Sequence, residues 1–203
     1  MLRTVIAVSF AAAALAPGAA AQSRDSVYSE IQDCPDIDAQ GMAPIMVRCE
    51  AVGEWTVTVG ASDHTSRAAF GSRGVEAQLS EGPLTQGLAA NVQRTVEWRG
   101  IRDGNWFAPY ATILRWRSVT PRAEDGSVGS FEDEWVRDEE FLVVSALRPE
   151  GPVSACHAAY IDVTQVENAN AVARAVADRA SKSFVCGEDP VMRVGAQEAA
   201  AYR

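Results

Sequence analysis

Ser62-Asp63-His64-Thr65-Ser66 gathers the residue types of a hydrolase triad within five positions. In such a triad the histidine takes the serine proton and a carboxylate orients the imidazole. Asp63 and His64 are therefore catalytic candidates. Triads are assembled from distant parts of a chain, however, and Asp and Ser are ordinary turn residues. The surrounding pattern places this cluster in a turn between two strands.

His157 is the other histidine. It follows Cys156 on an expected strand, and alternation puts it on the same face as Ala159 and Ile161, with Asp162 opposite. A general base needs a positioned partner, and strict alternation does not supply Asp162 as one. Asp125-x-Ser127-x-Gly129 has the start of a calcium loop. Its glycine stands one place early, and no glutamate occupies the twelfth position. No metal site and no cofactor are expected.

Trp98, Arg99, Arg115, Trp116 and Arg117 form a different kind of candidate. They lie on two consecutive strands, so register decides whether Arg99, Arg115 and Arg117 line one surface. Exposed arginine and tryptophan together make a typical binding surface. The competing expectation is that both tryptophans are core and that the arginines pair with the acidic loop.

The four cysteines are Cys34, Cys49, Cys156 and Cys186. Zinc fits poorly, because the chain has no C-x-x-C pair and few histidines. A covalent haem fits no better, since Cys156-His157 lacks the earlier cysteine of C-x-x-C-H. An even count suggests two disulfides in an oxidising compartment. Of three pairings, proximity along the chain favours Cys34–Cys49 and Cys156–Cys186.

The elements that must position these residues follow from the apolar pattern. Residues 1–21 carry Arg3, an apolar run from Val5 to Leu15 and then Ala19-Ala20-Ala21, which is the layout of a cleavable secretory signal. The run is shorter than the roughly 20 residues a membrane span needs, so no stable membrane anchor is expected. Residues 22–45 are polar and are expected as an irregular N-terminal arm. A single domain follows over 46–190, and 191–203 form a C-terminal tail.

Within that domain, Met46–Ala51, Glu54–Gly60 and Ser66–Gly71 are expected strands, and Leu84–Val92 a short helix. Arg94–Ile101 and Trp106–Arg117 alternate apolar and polar residues around an Asp103-Gly104 turn, predicting an antiparallel hairpin. Val119–Asp138 is expected as a long acidic loop. Glu139–Arg148 and Val153–Val163 are further strands. Thr164 and Glu167 fit a capping box, and Val172, Val176 and Ala180 recur at helical spacing up to Gly187. The expectation is an α+β domain: a mainly antiparallel sheet with one C-terminal α-helix packed on it and two disulfides. A Cys156–Cys186 bridge would staple the end of that helix to the preceding strand.

Two stretches carry a resemblance. One is Thr95-Val96-Glu97-Trp98-Arg99 followed by Pro109-Tyr110-Ala111-Thr112-Ile113-Leu114-Arg115-Trp116. The other is Cys156-His157-Ala158-Ala159-Tyr160-Ile161-Asp162, then Asn168-Ala169-Asn170-Ala171-Val172-Ala173-Arg174, Ala177-Asp178 and Phe184-Val185-Cys186. Over about half its length the chain resembles a family of uncharacterised secreted proteins from alphaproteobacteria. The resemblance implies export and the Cys156–Cys186 pairing, and no activity. Val163-Thr164-Gln165-Val166 departs from the small-residue turn that the resemblance would place there.

The formal charge is −9, and all basic residues but Lys182 are arginine. An acidic chain is repelled by nucleic acid and anionic membranes. A basic envelope protein is the partner that charge favours. The leading expectation is an exported periplasmic or secreted, non-catalytic, ligand- or partner-binding domain of inhibitor-like character. The alternative is a small cell-envelope hydrolase using His157 or His64.

Overall fold

The computed structural model describes residues 23–37, 45–62, 65–72, 79, 89–151 and 153–202. Residues 1–21, Asp63 and His64 lie outside them. The described chain forms β1 (Ser23–Glu30), β2 (Ile45–Glu50), β3 (Thr56–Ala61), β4 (Ser66–Gly71), β5 (Ala89–Asp103), β6 (Trp106–Arg122), β7 (Glu134–Leu147) and β8 (Ala155–Asp162). The helix α1 (Ala169–Ser183), β9 (Met192–Val194), the single helical turn α2 (Ala196–Ala199) and a 3-10 turn at Ala200–Tyr202 follow.

These strands make two sheets rather than one. A six-stranded sheet runs β1-β5-β6-β7-β8-β9, and a three-stranded antiparallel sheet runs β2-β3-β4. The large sheet is mixed, because β9 lies parallel to β8. A parallel neighbour requires a crossover connection, and α1 provides it.

Alternation divides the large sheet into two buried faces. Ile113, Leu142, Val144, Ala159 and Ile161 meet Val172, Ala173, Val176 and Ala177 of α1. On the other face Val96, Trp98, Leu114, Trp116 and Val143 meet Trp55, Val57, Val59 and Phe70 of the small sheet. The large sheet is thus the middle layer of three. The hairpin between β5 and β6 turns at Gly104, whose φ of +58° only glycine adopts without cost.

Several expectations change. The expected irregular arm contains β1, which pairs with β5 from Ser23↔Arg102 to Glu30↔Thr95. It is an edge strand, mostly exposed or half-buried, so its polar composition hid it. Residues 89–92 of the expected short helix belong to β5. The expected acidic loop is shortened to 123–133, because β6 and β7 stay paired out to Arg122↔Glu134. The expected tail holds β9 and α2, with Val194 and Ala199 buried in the core. The Thr164–Glu167 capping box does not form. Asp162 Oδ1 accepts instead from Thr164 N and Oγ1, at 2.9 and 2.6 Å, and the helix begins at Ala169.

Both disulfides form as chain proximity favoured, Cys34–Cys49 and Cys156–Cys186. The first ties the segment after β1 to β2. The second ties β8 to the chain just beyond α1, beside Phe184 and Ala158. Among the described residues no helix is long and apolar enough to cross a membrane. Two disulfides are consistent with an extracellular or periplasmic location.

Candidate functional site

His157 is not on the face that alternation assigns it. A bulge between Val144↔Ala159 and Ser145↔His157 inserts Ala158 as an extra residue. His157 therefore faces the small sheet, away from Ala159 and Ile161. Its ring stands edge-on to Trp116 and Tyr160, with centroids 5.7 and 5.5 Å away. Nδ1 lies 2.9 Å from the Tyr160 hydroxyl. The residue is 9% exposed, and burial pulls its pKa down to about 4. A general base for neutral pH needs a pKa near the operating pH and access to the substrate proton. His157 has neither property. Asp63 and His64 are outside the described residues, and the flanking Ser62 and Thr65 hydroxyls lie 2.8 Å apart.

Trp98 and Trp116 are core residues, 0% and 2% exposed. Trp98 packs against Trp55 and Phe70, and its indole N–H donates to Ser29 Oγ at 2.8 Å. They contribute to no exposed patch. The three arginines lie on the opposite face, the one that carries α1, and they do share it. Their partners are not in the acidic loop.

Arg99 makes a bidentate pair with Asp178 of α1, Nε to Oδ1 at 3.0 Å and Nη2 to Oδ2 at 2.8 Å. Tyr110 donates to the same carboxylate at 2.5 Å. Burial pushes the Asp178 carboxyl up. The hydrogen bonds from Arg99 and Tyr110, with the charges of Arg99 and Arg24, outweigh burial and hold it below the ordinary carboxylate value. Arg99 Nη1 also donates to Ser26 Oγ at 2.8 Å, and Ser26 donates on to Glu97 at 2.6 Å. Glu97 is held bidentately by Arg174 of α1. One polar network therefore joins β1, β5, β6 and the helix.

Arg115 and Arg117 turn instead to Glu140 on β7, and Arg137 reaches the same carboxylate at 2.6 Å. Glu140 is 2% exposed. Burial pushes its pKa up, but the Arg115 hydrogen bond and the three guanidinium charges bring it below the usual range. Three cations thus surround one carboxylate. Beside them β5 bulges, with Gln93, Arg94 and Thr95 standing opposite Arg115 alone. A cleft of about 260 Å³ opens there, walled by Tyr28, Gln93, Thr95, Glu97, Arg115 and Asn170. Such bulges are common beside functional sites.

The second exposed feature is the far end of the β6–β7 ribbon. Past Val119 no described residue of β5 pairs with it. Its tip carries Val128, Phe131, Trp135 and Val136, from 37% to 59% exposed. Phe131 and Trp135 pack on one another with ring centroids 5.6 Å apart. Residues 123–136 hold five carboxylates and no basic residue. Asp125 Oδ1 accepts from Ser127 N at 2.9 Å, and Asp133 Oδ2 from Ser130 N at 2.6 Å, so two of these carboxylates shape the loop. The Ser127 hydrogen bonds hold the Asp125 pKa below its usual value. Among the described residues no three metal-ligating side chains converge.

Sequence reasoning missed Glu97, Glu140, Arg137, Arg174 and Asp178 as partners. The available signal was Glu97 alternating against Trp98 and Glu140 opening an apolar strand. Composition alone could not say which distant cation each would meet. No protein-family model, curated protein or solved structure matches this chain.

Proposed function

We propose that the chain is an exported, non-catalytic binding domain, delivered to the periplasm by cleavage after residue 21, that docks onto a basic envelope protein. The observation that carries this reading is the tip of the β6–β7 ribbon. It combines exposed Phe131 and Trp135 with five carboxylates at the end of one two-stranded ribbon. Single exposed apolar residues are ordinary, but several close together mark an interaction site. Aromatic anchors dominate interface energetics. Opposite charge on a partner raises association rates from about 10⁵–10⁶ towards 10⁸–10⁹ M⁻¹ s⁻¹ at low salt. A basic cell-wall hydrolase has suitable chemistry, and a ribbon tip seated in its groove would act as an inhibitor. Export is supported by the layout of residues 1–21 and by the two disulfides.

The test places a photocrosslinking amino acid at Phe131 and, in separate proteins, at Trp106 and Val185, which are also exposed but belong to the other end of the large sheet. Expression in the native envelope should give an adduct from position 131 only, with a protein of basic isoelectric point. Glu132→Gln with Glu134→Gln should weaken that adduct, as should high salt. Adducts from all three positions, or none from 131, would overturn the reading.

A further inference from the structure

The arginine-flanked cleft is independent of the ribbon tip. We infer that it is a binding site for a small organic carboxylate. Charge comes first. Arg115, Arg117 and Arg137 share Glu140, so this cluster has two positive charges beyond its one negative charge. Arg115 lines the cleft and Arg117 reaches its wall through Gln93. A carboxylate accepts about four N–H bonds, so the Glu140 carboxylate cannot occupy all the donors of the guanidinium groups around it. Glu97, on the same wall, is neutralised by its bidentate pair with Arg174. Glu30 accepts from Thr95 Oγ1 at 2.8 Å at an exposed position, where water screens it.

The remaining polar groups are also donors. Gln93 Oε1 accepts from Arg117 Nη1 at 3.2 Å, which leaves the Gln93 amide N–H groups on the other side. Tyr28 Oη accepts from Arg174 at 3.2 Å, which leaves its own proton to donate. Asn170 adds an amide from the first turn of α1. Ile113 and Leu142 complete the lining with apolar surface. A donor-rich wall over an apolar floor fits a carboxylate with a short carbon chain. Size limits the chain. Drug-sized ligands occupy roughly 300–1,000 Å³, and this cleft holds about 260 Å³.

The experiment titrates the full mature protein with succinate, its neutral isostere succinamide, and inorganic phosphate, following backbone amide resonances. Succinate should shift Thr95, Arg115 and Asn170 saturably and leave Trp106 unmoved. Succinamide should shift none of them. Phosphate should bind at least about tenfold more weakly, lacking contact with the apolar floor. Arg115→Gln should weaken succinate by about tenfold or more, the scale of one charge-assisted contact. Arg122→Gln, which removes a cation paired with Asp138 elsewhere on the hairpin, should bind as the parent does. If Arg115→Gln fails to fold, the wild-type shifts decide. No saturable shift with succinate, equal response to succinamide, or phosphate binding as tightly as succinate would overturn the assignment. The ribbon-tip reading is untouched by any of these outcomes.

Discussion

Arg99 and Asp178 face one another through two hydrogen bonds that clamp the middle of α1 to β5. Arg99 is 8% exposed and the Asp178 side chain 14%. Removing one partner strands a buried charge, which costs about 3–5 kcal/mol. Arg99→Met should therefore destabilise by about that much in urea unfolding. The double variant Arg99→Met, Asp178→Leu should recover part of the loss, since a buried ion pair replaced by apolar groups is often close to neutral. A double variant worse than the sum of its singles would contradict this account of the clamp.

Asp178 and Glu140 are both held below the ordinary carboxylate range. Their pairs stabilise the fold above the unfolded carboxylate pKa. That contribution is lost as pH falls through their lower native values. A chemical denaturation series in acid should show α1 loosening with this loss, read by helical circular dichroism.

His157 acts at higher pH. Its native pKa is about 4, against 6.5 for the free side chain. Between these values the unfolded chain binds a proton that the native chain does not, so stability falls as pH drops from 6.5 to 4. The loss is about 3 kcal/mol across that window, and it levels off below it. His157→Gln should flatten this part of the stability–pH curve, whatever its effect at neutral pH. An unchanged slope in the variant would refute the assignment.

The Cys156–Cys186 bridge closes a loop of 30 residues containing all of α1. Replacing both cysteines with serine should cost about 2–4 kcal/mol. Hydrogen exchange should show the end of α1 and Phe184 losing protection before the sheet does.

Phe131 and Trp135 should behave in the opposite way. Both are exposed at the ribbon tip, so alanine at either should change stability by less than about 1 kcal/mol. If they anchor a partner, the same changes should cost about 2 kcal/mol or more in binding. A large stability loss would assign them to the fold instead.

What the amino-acid order determined by itself was local. Thr95 to Trp98 and Tyr110 to Trp116 alternate, and that pattern made a hairpin whose tryptophans point to one face. Val172, Val176 and their alanine neighbours made a helix with a small apolar stripe. The four cysteines paired with their neighbours along the chain. Each of these follows from side-chain period or chain proximity, which act over a few residues or one short loop.

Tertiary structure decided what depends on register between distant segments. The polar strand Ser23–Glu30 exists because the edge of β5 offers it backbone partners, not because of its own pattern. One extra residue, Ala158, turned His157 from one face of the sheet to the other, and alternation cannot register such an insertion. Arg99, Arg115 and Arg117 could be placed on strands from sequence alone. That the first meets Asp178 and the other two meet Glu140 required the crossing of α1 over β5 and the pairing of β6 with β7. Electrostatic partners are chosen by position in space, and only the packed layers fix that position.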